Sequence, residues 1–419
     1  MSLGRNIYKN RLNRKRLNKG DFIKIEVDVI LSNDITTPLA IDAFEASGIT
    51  KMKAADKAVI VADHFTPNKD IASAQQVKKV RDFARKWGIR FYDAGCGIEH
   101  TLLPEEGLVV PQDIVIGADS HSVTYGALGA VASGVGSTDV AAAWASGEAW
   151  FKFPEAVKVV LNGSLEPYVS GKDLILYIIS QIGTDGALYK GLEFCGPVMK
   201  ELSLDSRFTM ANMVIECGAK YGIMEADHKV VDYIETRARR PYTLQPENYS
   251  IDKDDEFDEI LQVDCSKIDP QIAFPSSPAN CRSVYSIEKT PVDQVVLGSC
   301  TNGRLEDFKK AAKIIEGRKV CRDLRFIVIP STALIYRQML ESGLMKIFAD
   351  SGAIISPPTC GPCLGGHMGV LAEGERALST TNRNFPGRMG HKNSFVYLAN
   401  PEVAAATAVA GYIAAPDQV

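Results

Sequence analysis

Ala58-Val59-Ile60-Val61-Ala62-Asp63-His64 is a β-branched run that stops on an acid and an imidazole, and residues 71–87 behind it read as an amphipathic helix. A short strand followed by a helix is the repeating unit of an α/β fold with largely parallel strands. Residues 89–92 and 113–116 read as the next strands. Each of the three ends in something chemical: Asp63-His64 after the first, a Gly-rich loop leading to His100 after the second, and Asp119-Ser120-His121 after the third. Ligands of open α/β sheets bind outside the carboxyl ends of strands, so these ends are expected to share one crevice.

The alternation continues downstream. Residues 157–161 read as a strand and 172–182 as a helix, which opens a second unit near Pro154. Between residues 245 and 291 the chain is acidic (252–259), then Pro-rich, with weak strand signal at 260–263, the pattern of a domain boundary or crossover. A third unit follows, with strands at 292–297, 324–329 and 353–355 and a helix at 304–315. The expectation is three α/β/α units, 1–154, 155–285 and 286–419, around a central crevice.

Bulk properties fit a soluble globular chain of 419 residues with 46% hydrophobic and 23% charged content. A formal net charge of −4 gives no general attraction for nucleic acid or anionic membrane, and no apolar run reaches the roughly 18 residues of a membrane span. Seven basic residues precede the first acid, Asp21, without an apolar segment that would make a secretory signal. This terminus is expected to be solvated or poorly ordered, and the chain cytoplasmic.

The stretch Pro357-Pro358-Thr359-Cys360-Gly361-Pro362-Cys363-Leu364-Gly365-Gly366 asks for a metal. A CxxC pair alone serves a zinc knuckle, a redox disulfide or an iron–sulfur centre, and zinc would need a second pair, which this sequence lacks. It has instead one cysteine upstream, in Gly298-Ser299-Cys300-Thr301-Asn302, after an apolar run. Three thiolates leave a coordination position open, which suits Lewis-acid catalysis better than electron transfer. The other six cysteines, at 96, 195, 217, 265, 281 and 321, share no spacing and read as ordinary thiols.

Three further stretches bear on the crevice. The glycines at 126, 129, 134 and 136 suit close backbone packing rather than a phosphate cradle, because neither a GxxxxGK[ST] loop nor a clean GxGxxG follows a strand. Residues 206–219 read as a helix whose core stripe is Met210, Met213, Val214 and Cys217, leaving Asn212 and Glu216 one turn apart on the other side, where a solvated face is the plain alternative. Arg383 and Arg388 lie in a turn-rich loop after Asn382, and guanidinium pairs near a metal suggest a substrate with carboxylates.

Taken together, Asp63-His64, Gly117-Ala118-Asp119-Ser120-His121, Gly136-Ser137-Thr138-Asp139, Gly298 to Asn302, Cys360-Gly361-Pro362-Cys363 and Asn382-Arg383-Asn384-Phe385 resemble the isopropylmalate dehydratase large subunits of the aconitase superfamily, over nearly the whole chain after Asp21. The resemblance implies aconitase-type iron–sulfur domains and one four-iron, four-sulfur cluster on Cys300, Cys360 and Cys363, with the fourth iron open to substrate. It implies a hydro-lyase that moves a hydroxyl between neighbouring carbons of a hydroxy dicarboxylate, as isopropylmalate dehydratases do in leucine biosynthesis. It also implies working pairs Asp63 with His64, Asp119 with His100, and Glu216 with His121, while Ser120, Asn212, Asn382, Arg383 and Arg388 orient cluster or substrate. His228, His367 and His391 match no catalytic position.

The chain departs from that pattern in places. The family often opens with an amphipathic helix, where this terminus is basic and Asn-rich; it often has a cysteine where this chain has Glu99, and Thr-Cys where this chain has Ser122-Val123. These departures leave homoaconitate, dimethylmalate and citramalate-type dehydratases as alternatives. The family's base for the carbon-bound proton is a serine on a swivelling domain that also supplies an arginine. The chain stops at Val419, soon after the 382–388 loop, so both are expected from a separate small subunit.

Overall fold

The computed structural model describes residues 2–14, 16–242, 251 and 254–419; of the acidic stretch at 252–259, residues 252 and 253 lie outside the described set. The first sheet is parallel throughout, with strand order Arg90–Tyr92, Ala58–Val61, Val29–Asn33, Ile114–Gly117, Val131–Gly134. Its central strand, Val29–Asn33, lies upstream of the strands read from sequence, and all five of its residues are buried. Burial on both faces replaces the alternation that marks a half-exposed strand.

A second parallel sheet runs Tyr221–Met224, Gly191–Cys195, Ala156–Asn162, Glu259–Asp264, so the weak signal at 260–263 is an edge strand. The third sheet has seven strands: Cys281–Ser283, Gln271–Ala273, Phe395–Leu398, Arg376–Ser379, Gln294–Gly298, Arg325–Ile329 and Ile354–Ile355. Gln271–Ala273 pairs antiparallel with both Cys281–Ser283 and Phe395–Leu398, and the remaining pairings are parallel. Sheet membership therefore changes between Asp264 and Gln271. Among the described residues no helix is long and apolar enough to cross a membrane.

The basic N-terminus corrects the expectation of a solvated or poorly ordered end. Leu3–Leu12 is an α-helix with Leu3, Ile7 and Tyr8 buried. The Glu193 carboxylate accepts from the Leu3 and Gly4 N–H groups at 2.6 and 3.0 Å and from Ser2 Oγ at 2.7 Å, satisfying donors that a helix start leaves unpaired. The basic residues are used locally, as where Arg11 pairs with Asp28 at 2.6 Å. Tyr8 stacks edge-on against Phe151, Phe153 and Tyr221, and its hydroxyl has no partner among the described residues. Tyr8→Ala is therefore expected to cost about 3–5 kcal/mol in denaturant unfolding, whereas Tyr8→Phe, which deletes only the unpaired hydroxyl, should cost nothing.

Two glycines permit close backbone approaches that shape the site. A Cβ on Gly126 would sit 1.7 Å from the Gly222 carbonyl oxygen, so the 3₁₀ run Ser120–Leu128 can lie on the strand Tyr221–Met224 only without a side chain there. Gly298 has φ of 137°, and a Cβ on it would meet the Ile329 carbonyl oxygen at 2.1 Å. The next residue, Ser299, also has positive φ at 75°, a conformation that disfavours L side chains. This bend turns the chain from the strand Gln294–Gly298 straight into Cys300.

Candidate active site

The chemistry-bearing residues stand at the carboxyl ends of parallel strands in two sheets. Asp63 follows Ala58–Val61, Asp119 follows Ile114–Gly117, Cys300 follows Gln294–Gly298, Cys360 follows Ile354–Ile355 and Asn382 follows Arg376–Ser379. Asp34, just beyond Val29–Asn33, gathers the first of these turns: Oδ1 accepts from the Asp63 and His64 N–H groups at 3.1 and 2.9 Å, and Oδ2 from Phe65 N–H at 2.8 Å. The Asp63 carbonyl in turn accepts from Cys360 N–H at 2.8 Å and Thr359 Oγ1 at 3.1 Å. One strand end thus holds both an imidazole and the cysteine loop.

The three imidazole–carboxylate pairs lie within hydrogen-bonding distance: His64 Nδ1 to Asp63 Oδ1 at 2.6 Å, His100 Nε2 to Asp119 Oδ1 at 2.9 Å, and His121 Nε2 to Glu216 Oε1 at 2.8 Å. Burial opposes charge on His64, but Asp63, with Asp34 beyond it, outweighs burial and raises its pKa to about 10. His121 is also raised: burial and Arg383 oppose its charge, and hydrogen bonds to Asp119 and Glu216 prevail. Burial would raise Asp119, yet His100 and His121 hold it well below the usual carboxylate range.

Cys300, Cys360 and Cys363 line one cavity of about 160 Å³ together with His64, His100, Asp119, His121, Asn382, Arg383 and Arg388. Side-chain donors face the sulfurs: Asn212 Nδ2 lies 3.4 Å from Cys300 Sγ, Asn382 Nδ2 3.6 Å from the same atom, and Arg388 Nη2 3.9 Å from Cys363 Sγ. Burial, then the Cys363 sulfur, pushes the Cys300 thiol up to about 12. Its hydrogen bond with Cys363, then burial, raises Cys360 well above the ordinary thiol range. Its partner Cys363 is lowered by the same hydrogen bond and by Arg388, so it is Cys300 and Cys360 that need positive charge beside them to be thiolates at neutral pH, and the donor set fits a metal centre.

Four expected site residues stand outside the cavity wall. Asp63 backs His64. Glu216 accepts from both His121 and Arg383 Nε, each at 2.8 Å. Asn212 is fully buried rather than on a solvated face, and its Oδ1 accepts from Asn382 Nδ2 at 3.0 Å. The helix read over 206–219 is α-helical only over Leu204–Met213, and the tighter 3₁₀ turn Val214–Cys217 carries Glu216. Ser120 lines a neighbouring, larger cavity of about 850 Å³ that shares Asp119 and Thr36 with the first.

The sequence reading missed Asn33, Asp34 and Thr36, although all sit at or just past the carboxyl end of a strand, the signal that found the others. It also missed Lys172, fully buried, whose Nζ donates to the carbonyls of Thr380 and Thr381 immediately before Asn382. His367 faces Thr359 Oγ1 at 3.0 Å, behind the cysteine loop.

Comparison with known proteins gives the family. The profile of the aconitase family (aconitate hydratase) matches residues 5–411. The 3-isopropylmalate dehydratase large subunit of Caldicellulosiruptor saccharolyticus is 55% identical, covering 100% of this chain and 97% of its own length. That of Syntrophus aciditrophicus is 56% identical over 96% of this chain and 95% of its own length. The 3-isopropylmalate dehydratase large subunit 1 of Pyrococcus furiosus is 52% identical over 100% of this chain and 99% of its own length. The crystal structure of Thermococcus kodakaraensis aconitase X in its holo form superposes with a TM-score of 0.50 at 14% identity, covering 86% of this chain and 84% of that one, which supports the fold alone. With a family profile matched almost end to end and relatives above half identity, the chain belongs to the aconitase family.

Proposed function

We propose that this chain is the large subunit of a 3-isopropylmalate dehydratase, a hydro-lyase that interconverts 2- and 3-isopropylmalate through isopropylmaleate in leucine biosynthesis. The observation that carries the reading is the meeting of three buried sulfurs, three imidazole–carboxylate pairs and two arginines at one cavity, in a chain 55% identical over its whole length to such a subunit. Family membership implies an iron–sulfur cluster, which Cys300, Cys360 and Cys363 would hold. In this reading it is of the four-iron, four-sulfur type with three cysteine ligands, and its open iron supplies Lewis acidity toward the substrate's hydroxyl and carboxylate.

The chain's own residues supply the rest. His64 is held as the cation, with Nδ1 committed to Asp63, so Nε2 is the atom from which a proton passes to the departing hydroxyl oxygen. Asp119, flanked by His100 and His121, keeps both rings oriented toward the cavity. Arg383 is tied to Glu216 through Nε only, and Arg388 Nε is buried without a partner among the described residues. Two guanidinium groups with unused donors match the two carboxylates of the substrate.

The test is to reconstitute the chain anaerobically with its small subunit and follow hydration of isopropylmaleate. Formation of both isopropylmalates is expected, and turnover confined to another hydroxy dicarboxylate would overturn the substrate assignment. In the same assay Arg388→Lys, which keeps the charge but loses the planar fork, is expected to lose roughly 1.5–3 kcal/mol of transition-state binding, about 10- to 150-fold in kcat/KM. Wild-type kinetics in that variant would exclude Arg388 as a carboxylate clamp.

A further inference from the structure

Glu99 has no part in the chemistry above, yet it is the acidic residue most completely enclosed at the cavity. Its side chain is fully shielded from solvent and lines the cavity that holds the three sulfurs. Three contacts fix it: its N–H donates to Asp63 Oδ2 at 2.8 Å, Asn33 Nδ2 donates to its Oε1 at 3.0 Å, and that oxygen lies 3.5 Å from His100 Nε2. Its other oxygen, Oε2, has no hydrogen-bond partner among the described residues. Buried polar atoms are nearly always satisfied, and a side chain anchored this way cannot swing to find a new neighbour. A molecule that enters the cavity can supply that partner.

We propose that Glu99 is a further substrate-binding residue, whose Oε2 donates a hydrogen bond to an oxygen of the bound hydroxy dicarboxylate. A donor is called for because an ionised Glu99 would add a negative charge, beside Asp63 and Asp119, against a dianionic substrate. Burial, and then those two carboxylates, push the Glu99 carboxyl well above the usual range, which favours the protonated acid. Substrate hydroxyl and carboxylate oxygens are the acceptors available to it. A protonated carboxyl hydrogen-bonds such an oxygen without the repulsion that a carboxylate would bring. The proposal rests on the reading of this site as a hydroxy dicarboxylate dehydratase.

The test compares Glu99→Gln with Glu99→Ala in the reconstituted complex of large and small subunits. Glutamine puts an N–H donor where the acid proton stood, so its KM should stay within about threefold of wild type, whereas alanine should raise KM by about tenfold or more. Iron content and the cluster absorption spectrum should be the same in all three proteins before substrate is added. Independently of turnover, infrared difference spectra on adding substrate should show a carboxylic-acid C=O band shifting in the wild type and missing from both variants. Wild-type KM in Glu99→Ala, glutamine as impaired as alanine, a cluster spectrum altered in the absence of substrate, or no such band would each overturn it. A wild-type complex that turns over a different hydroxy dicarboxylate overturns the isopropylmalate assignment instead, and the same comparison is then made with that compound.

Discussion

Cys360→Ser is expected to abolish activity and to strip the protein of its iron–sulfur cluster. With three cysteines at the cavity, loss of one leaves two sulfurs, and a serine hydroxyl does not ionise at neutral pH to replace the third. Asn212, Asn382 and Arg388 are neutral or cationic donors aimed at the sulfurs and offer no substitute ligand. Cys321 is the control: it is half-buried and packs against Gly411, with no part in the cavity wall. After anaerobic reconstitution the wild type and Cys321→Ser should hold about four irons per chain, and Cys360→Ser far fewer. Undiminished iron in Cys360→Ser, or a wild type that takes up only zinc, would refute the cluster assignment.

Much of this site was legible because strand ends announce themselves. Asp63-His64, Asp119-Ser120-His121 and Cys300 each follow an apolar β-branched run, and parallel sheets deliver such ends to one side. What stayed hidden has particular physical causes. The strand Val29–Asn33 is buried at every position, so no alternation marked it, and with it went Asn33 and Asp34. The N-terminal helix carries its apolar residues at positions 3, 7 and 8 among basic ones, and its main anchor, Glu193, lies 190 residues away from Leu3. Lys172 looks like a surface residue of an amphipathic helix, and only the distant carbonyls of Thr380 and Thr381 give it a reason to be inside. Asn212 and Glu216 show the limit of helical spacing: their shared face was correct, but what covers that face, the loop of Asn382 and Arg383, is set by tertiary structure.

This chain, purified alone with its cluster intact, is expected to show no turnover until a small subunit is added. Isomerisation requires a base to remove a proton from carbon, and the cavity wall offers none that is uncommitted. Each of the three imidazoles is engaged with a carboxylate, and His64 is cationic up to about pH 10. Asp119 is held well below the usual carboxylate range by the histidines around it, which makes it a weak base, and burial pushes Glu99 well above that range, toward its protonated form. The cysteines are accounted for as cluster ligands, and the arginines carry no basic site. The base is then expected from another chain, in keeping with relatives whose very name is that of a large subunit. A partner seated over the crevice would also exclude water from the carbanion-like transition state. The measurement is hydration of isopropylmaleate by the cluster-loaded chain, with and without the small subunit, at matched iron content. Activity appearing only on addition of the second chain is the expected result; full turnover by the isolated chain would mean that a group within it, with Ser120 in the adjoining cavity the first to replace by alanine, is the base.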